Sequence, residues 1–313
     1  MATSLAFAEQ SKQLQPWCIL GRGAIGLLAA SRWVLADQPV QLWLKDHSIT
    51  RFAYTFSEQD QDVPLQLQCS RQGPFALVLL PLKAFDILPA LEELQPALSP
   101  TAQIVLCHNG MGTIEAAKDL LGPAQGLWFA STTHGAFKPT SHSICHSGQG
   151  STILGACNAA AQSSTLPMAA MINQALGPVQ QVDSIEPFLW RKLAINAVIN
   201  PLTALHQCRN GALAAPAFSA QIHDLLTEFA QLAAAANITL PLSELEDTVH
   251  QVIVRTAANF SSMHQDVAAG RRTELAAISG FVLAQARQLQ LQLPTHQALY
   301  QQLTSQLEPW QYQ

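Results

Sequence analysis

The sequence predicts an α/β fold. An N-terminal, doubly wound domain built on a parallel sheet is followed by an all-α C-terminal domain, with the active site in the cleft between them. Three observations lead there. A strand-like run at 17–20 passes directly into a glycine turn and then a helical stretch. Compact apolar runs, of the kind found in strands covered on both faces, recur as far as residue 155. Beyond Asp183 these runs cease and helical periodicity takes over. At 313 residues the chain exceeds one typical core. It therefore divides into an extension at 1–16, a sheet domain at 17–182 and a helical domain at 183–313.

The glycine turn reads Gly21-Arg22-Gly23-Ala24-Ile25-Gly26. Between a strand and a helix, Gly21 makes the turn and Gly23 lets a pyrophosphate approach the backbone at the helix N-terminus. Gly26 permits close helix–strand packing. The G-x-G-x-x-G pattern alone is common. The preceding strand, the following helix and a second strand at 40–44 make it a dinucleotide site of the Rossmann type. After that second strand come Lys45 and Asp46. A basic residue there meets the 2′-phosphate of NADPH, an acidic one the ribose hydroxyls of NADH. Lys45, first in line, points to NADPH, and Asp46 keeps NADH open.

Further strands are predicted at 75–80, 103–107, 126–131 and 151–155. Pro81-Leu82-Lys83 follows the first of these and His108-Asn109-Gly110-Met111-Gly112 the second. Ligands in such sheets sit beyond the carboxyl ends of the strands, so Lys83 and Asn109 are placed to meet cofactor or substrate. Thr132-Thr133-His134-Gly135 lies just past the third.

Helices are predicted at 187–200, 217–236, 242–258, 274–290 and 296–307. The first carries Lys192, Asn196 and Asn200 at i, i+4 and i+8, a polar stripe on a helix otherwise faced with Leu189, Leu193, Ile195, Val198 and Ile199. A lysine and two amides in such a setting cost free energy unless satisfied, either by local partners or by a ligand. A second cluster runs from Ser261 and Ser262 through Asp266 and Gly270 to Arg271, Arg272, Thr273 and Glu274. Gly270 separates one helix end or loop from a helix beginning near Thr273. Glu274 suits a first helical turn, and Asp266 forms a local ion pair with Arg271 or Arg272.

Composition narrows the classes. Charged residues are 12% of the chain, against roughly 25% for an average globular protein, and the formal net charge is −5. With no basic run, nucleic acid is excluded as a partner. No segment offers the run of about 18 apolar residues that a membrane span needs, so no membrane partner is expected. The extension at 1–16 lacks the basic start of a signal peptide, and the six scattered cysteines lack any C-x-x-C pair. Both point to the cytoplasm. His142, Cys145 and His146 resemble a metal cluster in composition only. No further ligand pair follows at zinc spacing, and no metal is expected.

The chain resembles the ketopantoate reductase (2-dehydropantoate 2-reductase) family from Trp17 onward. The resemblance rests on the glycine turn, Leu82-Lys83-Ala84, Asn109-Gly110-Met111-Gly112 and Trp190-Arg191-Lys192 with Asn196 and Asn200-Pro201. Asn210-Gly211 and Ser261-Ser262-Met263 through Thr273-Glu274 complete it. It implies NADPH-dependent reduction of a small 2-oxo acid, ketopantoate, to pantoate for pantothenate and coenzyme A biosynthesis. By the same resemblance Lys192 protonates the C2 carbonyl oxygen and Glu274 binds the substrate hydroxyl. Asn109, Asn196, Asn200, Asn210 and Ser262 share the contacts to substrate and nicotinamide ribose. Lys45 and Lys83 match positions that meet the cofactor. The family often continues Thr-Glu-Ile-Asp and ends Ile-Asn-Gly, whereas this chain has Ala276 and Ala277 after Leu275, then Ile278-Ser279-Gly280. Family members occur as monomers and larger assemblies, which leaves monomer and homodimer both open. The rival readings are a reductase of another branched 2-oxo acid and a dinucleotide sensor without catalysis. The sensor predicts decay at Lys192 or Glu274, and both are present.

Overall fold

The computed structural model describes residues 15–312, so most of the extension at 1–16 lies outside the described residues. The N-terminal part follows the predicted order. β1 (Trp17–Leu20) leads through the glycine turn into α1 (Ala24–Leu35) and then β2 (Val40–Trp43). A long hairpin follows, β3 (Arg51–Glu58) and β4 (Gln61–Cys69), then β5 (Phe75–Leu80), α2 (Ala84–Leu94), β6 (Leu98–Leu106) and α3 (Ile114–Asp119). β7 (Gly126–Thr132), β8 (Gly135–Phe137), β9 (Ser143–Gly148) and β10 (Thr152–Ala156) come next. α4 (Ala159–Gln162), α5 (Met168–Leu176) and β11 (Val179–Val182) close the sheet region.

All these strands join one sheet in the order β11-β10-β7-β6-β5-β1-β2-β4-β3-β9-β8. Its centre, β7-β6-β5-β1-β2, is wholly parallel. The chain order reverses between β1's two neighbours, which places a crevice beyond the carboxyl ends of β1, β2, β5 and β6. The strands β3, β4, β8, β9 and β11 were not predicted. In β3 and β4 the signal was present: Phe52, Tyr54 and Phe56 alternate inward, and so does Leu67. The turn joining them puts Gln59 and Asp60 at φ 50° and 61°, a tight hairpin geometry without the usual Asn-Gly.

The glycine turn behaves as its sequence dictates. Gly21 sits at φ +80°, and its N–H donates to Trp43 O at 2.8 Å, tying β1's end to β2. A Cβ on Gly26 would lie 2.8 Å from Pro81 Cγ and 3.3 Å from Ile19 Cγ2, so α1 can approach β1 only with glycine there. Trp33 of α1 stacks on Trp17 of β1, with centroids 4.4 Å apart, locking that approach.

Among the described residues, everything after Val182 is helical or loop. α6 (Glu186–His206) is longer than predicted and runs through Pro201. α7 (Pro216–Ala235), α8 (Leu242–Arg255) and α9 (Ser262–Ala268) follow. A π-helical turn (Ala276–Gly280) precedes α10 (Phe281–Gln288), α11 (Pro294–Thr304) and α12 (Pro309–Tyr312). The helix expected near Thr273 thus begins at Ala276, in π form. Gly270, at φ +60°, ends the α9 segment as its position suggested. Trp190, Leu193, Val198, Phe229 and Leu275 anchor the helical core. No helix among the described residues is long and apolar enough to cross a membrane.

Candidate active site

Two connected cavities follow the carboxyl ends of the central strands, sharing Leu82 and Asp86. The first, about 360 Å³, is walled by Gly21, Arg22, Trp43, Lys45 and Asp46. The second, about 440 Å³, brings together Gly23, Ala24, Ile25, Lys83, Asn109, Lys192, Ser262 and Glu274. Eight of the residues singled out from sequence therefore face one cavity, although they come from both domains.

Lys192 reaches across from α6 to the end of β7, where its Nζ donates to Thr132 O at 2.9 Å. Burial pushes its pKa below the ordinary lysine value, and the Glu274 carboxylate opposes that push without cancelling it. The Cys107 thiol, itself buried, is pushed up to about 11 and stays neutral. Among the described residues Lys192 makes no salt bridge with a carboxylate, and burial makes its ammonium form easier to deprotonate than that of a solvated lysine. Its partner within the protein is a backbone carbonyl rather than a carboxylate.

The carboxylate pairs with the other lysine. Glu274, 4% exposed, accepts from Lys83 Nζ at 3.2 Å, from the Ala84 N–H at 3.2 Å and from Asn109 Nδ2 at 3.3 Å. Lys83 also donates to Asp266 at 2.7 Å, and Asp266 accepts from Arg271 Nε at 3.0 Å. Burial alone would lower the Lys83 pKa, but the Glu274 and Asp266 carboxylates outweigh it and hold the ammonium above its usual range. The pKa values of the two lysines of the cleft are therefore driven in opposite directions, that of Lys83 up and that of Lys192 down. Asp266 was read from sequence only as a local partner of Arg271 or Arg272, and Arg271 is the one that meets it. The link from Asp266 to Lys83 spans the two domains and has no sequence signal.

Asn109 is delivered by a loop that needs its glycines. Gly110 at φ +77° and Gly112 at φ +98° let the loop lie against the π-helical turn, where Met111 N–H donates to Ala277 O at 3.0 Å. His108 steadies the loop from behind, through contacts of 2.8 Å to Asn109 O and 2.7 Å to Thr113 Oγ1. Burial lowers its pKa, so it acts there as a neutral imidazole. Ser279, where the family pattern carries asparagine, is buried in the π-helical turn with its hydroxyl unpartnered among the described residues.

Asn196 and Asn200 continue the Lys192 face of α6 but do not line either cavity. Asn210 is buried on the loop after α6, its Nδ2 donating to Thr256 Oγ1 at 2.8 Å and its Oδ1 without a partner. Gly26 lies beneath the turn as packing.

The two cavities together fit a dinucleotide laid across the N-terminus of α1. The N-cap of α1 is Gly23, which has no side chain to cap the helix, so the first amides of α1 keep their donors for an anion. Lys45 stands exposed at the rim, 3.1 Å from Asp86. Asp46 is turned back on its own loop, accepting from Ser48 N at 3.0 Å and Ser48 Oγ at 2.6 Å. Those bonds, both to Oδ1, hold its carboxyl below the usual carboxylate range and turn that oxygen toward its own loop.

The chain is similar to known proteins along most of its length. The family described as ketopantoate reductase PanE/ApbA matches residues 17–159, and its C-terminal part matches residues 184–307. The chain is 39% identical to the 2-dehydropantoate 2-reductase of Vibrio cholerae, over 93% of this chain and 98% of that one. Against the Shigella flexneri 2-dehydropantoate 2-reductase the identity is 34%, over 90% and 92%. Among solved structures, a PanE/ApbA family ketopantoate reductase from Ralstonia eutropha superposes with a TM-score of 0.82 at 22% identity, covering 93% and 98%. D-mandelate dehydrogenase with NADH and anilino(oxo)acetate superposes at 0.84 with 18% identity, again over 93% and 98%. These last two are likenesses of fold.

Proposed function

The chain belongs to the ketopantoate reductase family, and from that premise we propose that it reduces ketopantoate to pantoate with NADPH, Lys192 acting as general acid. Residues 17–182 serve as the dinucleotide-binding domain and 183–313 as the substrate-binding domain of a cytoplasmic enzyme. Its place is in pantothenate and coenzyme A biosynthesis. The observation that carries the reading is the buried Lys192 Nζ at the cleft, resting on Thr132 O with its pKa lowered by burial.

Bound NADPH supplies the hydride to C2 of the ketone. As charge grows on the carbonyl oxygen, Lys192 passes its proton there, a step typically worth roughly 10²–10⁴-fold. Glu274 accepts a hydrogen bond from the substrate hydroxyl, and Lys83 neutralises that carboxylate. Asn109 and Ser262 bind at the cleft wall. Asn196, Asn200 and Asn210 offer neutral donors and acceptors from the helical domain without adding a second charge beside Lys192. Gly21, Gly23, Ala24 and Ile25 hold the pyrophosphate against α1, Gly26 lets α1 pack close enough to do so, and Lys45 with Arg22 meets the 2′-phosphate.

Incubation with ketopantoate and NADPH is expected to yield pantoate, identified by mass spectrometry, in step with NADPH oxidation. Cofactor oxidation without pantoate would sink the substrate assignment. Lys45→Ala is expected to weaken NADPH binding by roughly tenfold and leave NADH nearly unaffected, since it removes a charge-assisted contact to the phosphate alone. An equal loss for both in a titration of the two cofactors would mean that Lys45 does not read the phosphate.

A further inference from the structure

The Thr132 carbonyl that holds Lys192 ends β7, and β8, at the far edge of the sheet order, begins only three residues later. The sheet therefore curls back on itself, and His134 sits at the seam. Its ring lines the substrate cavity, yet both nitrogens are engaged by protein. Nε2 lies 3.0 Å from Gly177 O, so it carries the hydrogen and donates. Nδ1 accepts from the Gly150 N–H at 3.2 Å and faces His146 Nε2 at 3.2 Å. His146 in turn meets Glu58 Oε1 at 2.6 Å through Nδ1, and Glu58 accepts from Arg32 at 2.6 Å. The His146 side chain is 4% exposed.

His146 Nδ1 also lies 3.2 Å from Arg32 Nη2, so Arg32, Glu58 and His146 form one cluster behind His134. Donating to Gly177 O through Nε2 and accepting from the Gly150 N–H through Nδ1, His134 is held neutral. Burial and the neighbouring Arg32 cation lower the His134 pKa, in agreement. Burial raises the Glu58 pKa, but Arg32 and His146 outweigh it and hold the carboxyl below its usual value. The backbone of the seam is clamped too. His134 N–H donates to Thr132 Oγ1 at 3.2 Å, and a Cβ on Gly150 would lie 2.4 Å from His134 N. With both nitrogens engaged by protein, His134 is neither acid nor base in the reaction.

We infer that His134 is a positioning residue for the proton donor: anchored by Gly177, Gly150 and the Arg32–Glu58–His146 relay, it fixes the Thr132 carbonyl against which Lys192 rests. The inference deepens the proposed function and rests on the Lys192 assignment made there. The charged or titratable groups around His134 are Arg32, Glu58 and His146. Those around Lys192 are Glu274 and Cys107, with Lys83 and Asp266 behind Glu274. A carbonyl acceptor favours the charged form of a lysine. Loosening it lowers the Lys192 midpoint further.

The test is the pH dependence of Lys192 acetylation by acetic anhydride, read by peptide mass spectrometry, together with the pH profile of kcat. In His134→Ala the Lys192 midpoint is expected to fall by about one unit and kcat at neutral pH by roughly tenfold, with KM for NADPH unchanged. His134→Gln keeps an N–H for Gly177 O and recovers much of both, while Glu58→Gln moves the midpoint the same way by less. An unmoved midpoint in folded His134→Ala overturns the inference. If that variant does not fold, an unmoved midpoint in Glu58→Gln overturns it equally. Acetylation reads Lys192 without turnover, so this failure is distinct from that of the general-acid reading, which only the kinetics of Lys192→Ala can sink.

Discussion

Replacing Lys192 with alanine is expected to lower kcat by roughly 10²-fold or more while NADPH binds nearly as before. The split follows from where the residue sits. Lys192 comes from α6 of the helical part, whereas Gly21, Arg22 and Lys45 line the other cavity and are left intact. The amine must be protonated to act, and burial lowers its pKa. In the wild type kcat is therefore level while Lys192 is an ammonium and falls as pH rises through a midpoint below the ordinary lysine range. Lys192→Ala loses that alkaline limb. Lys192→Arg keeps the charge but not the transferable proton, because a guanidinium holds its proton far above neutral pH, and it does not rescue turnover. Steady-state kinetics beside a fluorescence titration of NADPH check all of this. Wild-type turnover in Lys192→Ala removes the residue from the chemistry.

The second large effect is on the junction between domains. Gly110→Ala places a Cβ 2.5 Å from Ala277 O and 2.8 Å from Ala277 Cβ, at a φ of +77° that alanine resists. Overpacking and backbone strain together cost about 2–4 kcal/mol. The loop can escape only by leaving the π-helical turn, which breaks Met111 N–H to Ala277 O and draws Asn109 away from Glu274. Denaturant unfolding is expected to show the lost stability, and kcat/KM for the 2-oxo acid to fall with it. A Gly110→Ala enzyme as stable and active as the parent would show that the loop is not held as described.

The parts of this site that were legible in sequence are those built from local pattern. The glycine turn, its flanking strand and helix, and the i, i+4, i+8 stripe of Lys192, Asn196 and Asn200 are fixed by short-range spacing, and each falls where its pattern implies. Lys83 and Asn109 follow from the rule that ligands gather beyond strand ends. What was not legible is contact between distant segments. Asp266 meets Lys83 across 183 residues of chain, and His146 meets Glu58 on strands whose pairing no single segment announces. The β3–β4 hairpin could have been read from its alternating aromatics, and with it the sheet's extension beyond β2. The β9 strand, Ser-Ile-Cys-His-Ser-Gly, carries almost no apolar signal. It is held by pairing with β3 and β8 rather than by its own propensity. Lys192's missing carboxylate was equally invisible, because which of two lysines takes Glu274 is decided by the relative placement of the domains.

The most direct test of the account is the ratio of kcat/KM for ketopantoate to that for 2-oxoisovalerate, with NADPH saturating. The two acids share the carboxylate and the ketone, and 2-oxoisovalerate lacks the hydroxymethyl group assigned to Glu274. A hydroxyl donating to a buried carboxylate contributes about 1.5–3 kcal/mol, so ketopantoate should be favoured by roughly 10- to 150-fold. Glu274→Ala should collapse that preference. Equal turnover of the two acids, or a preference that survives Glu274→Ala, would contradict the assignment of this cleft to ketopantoate.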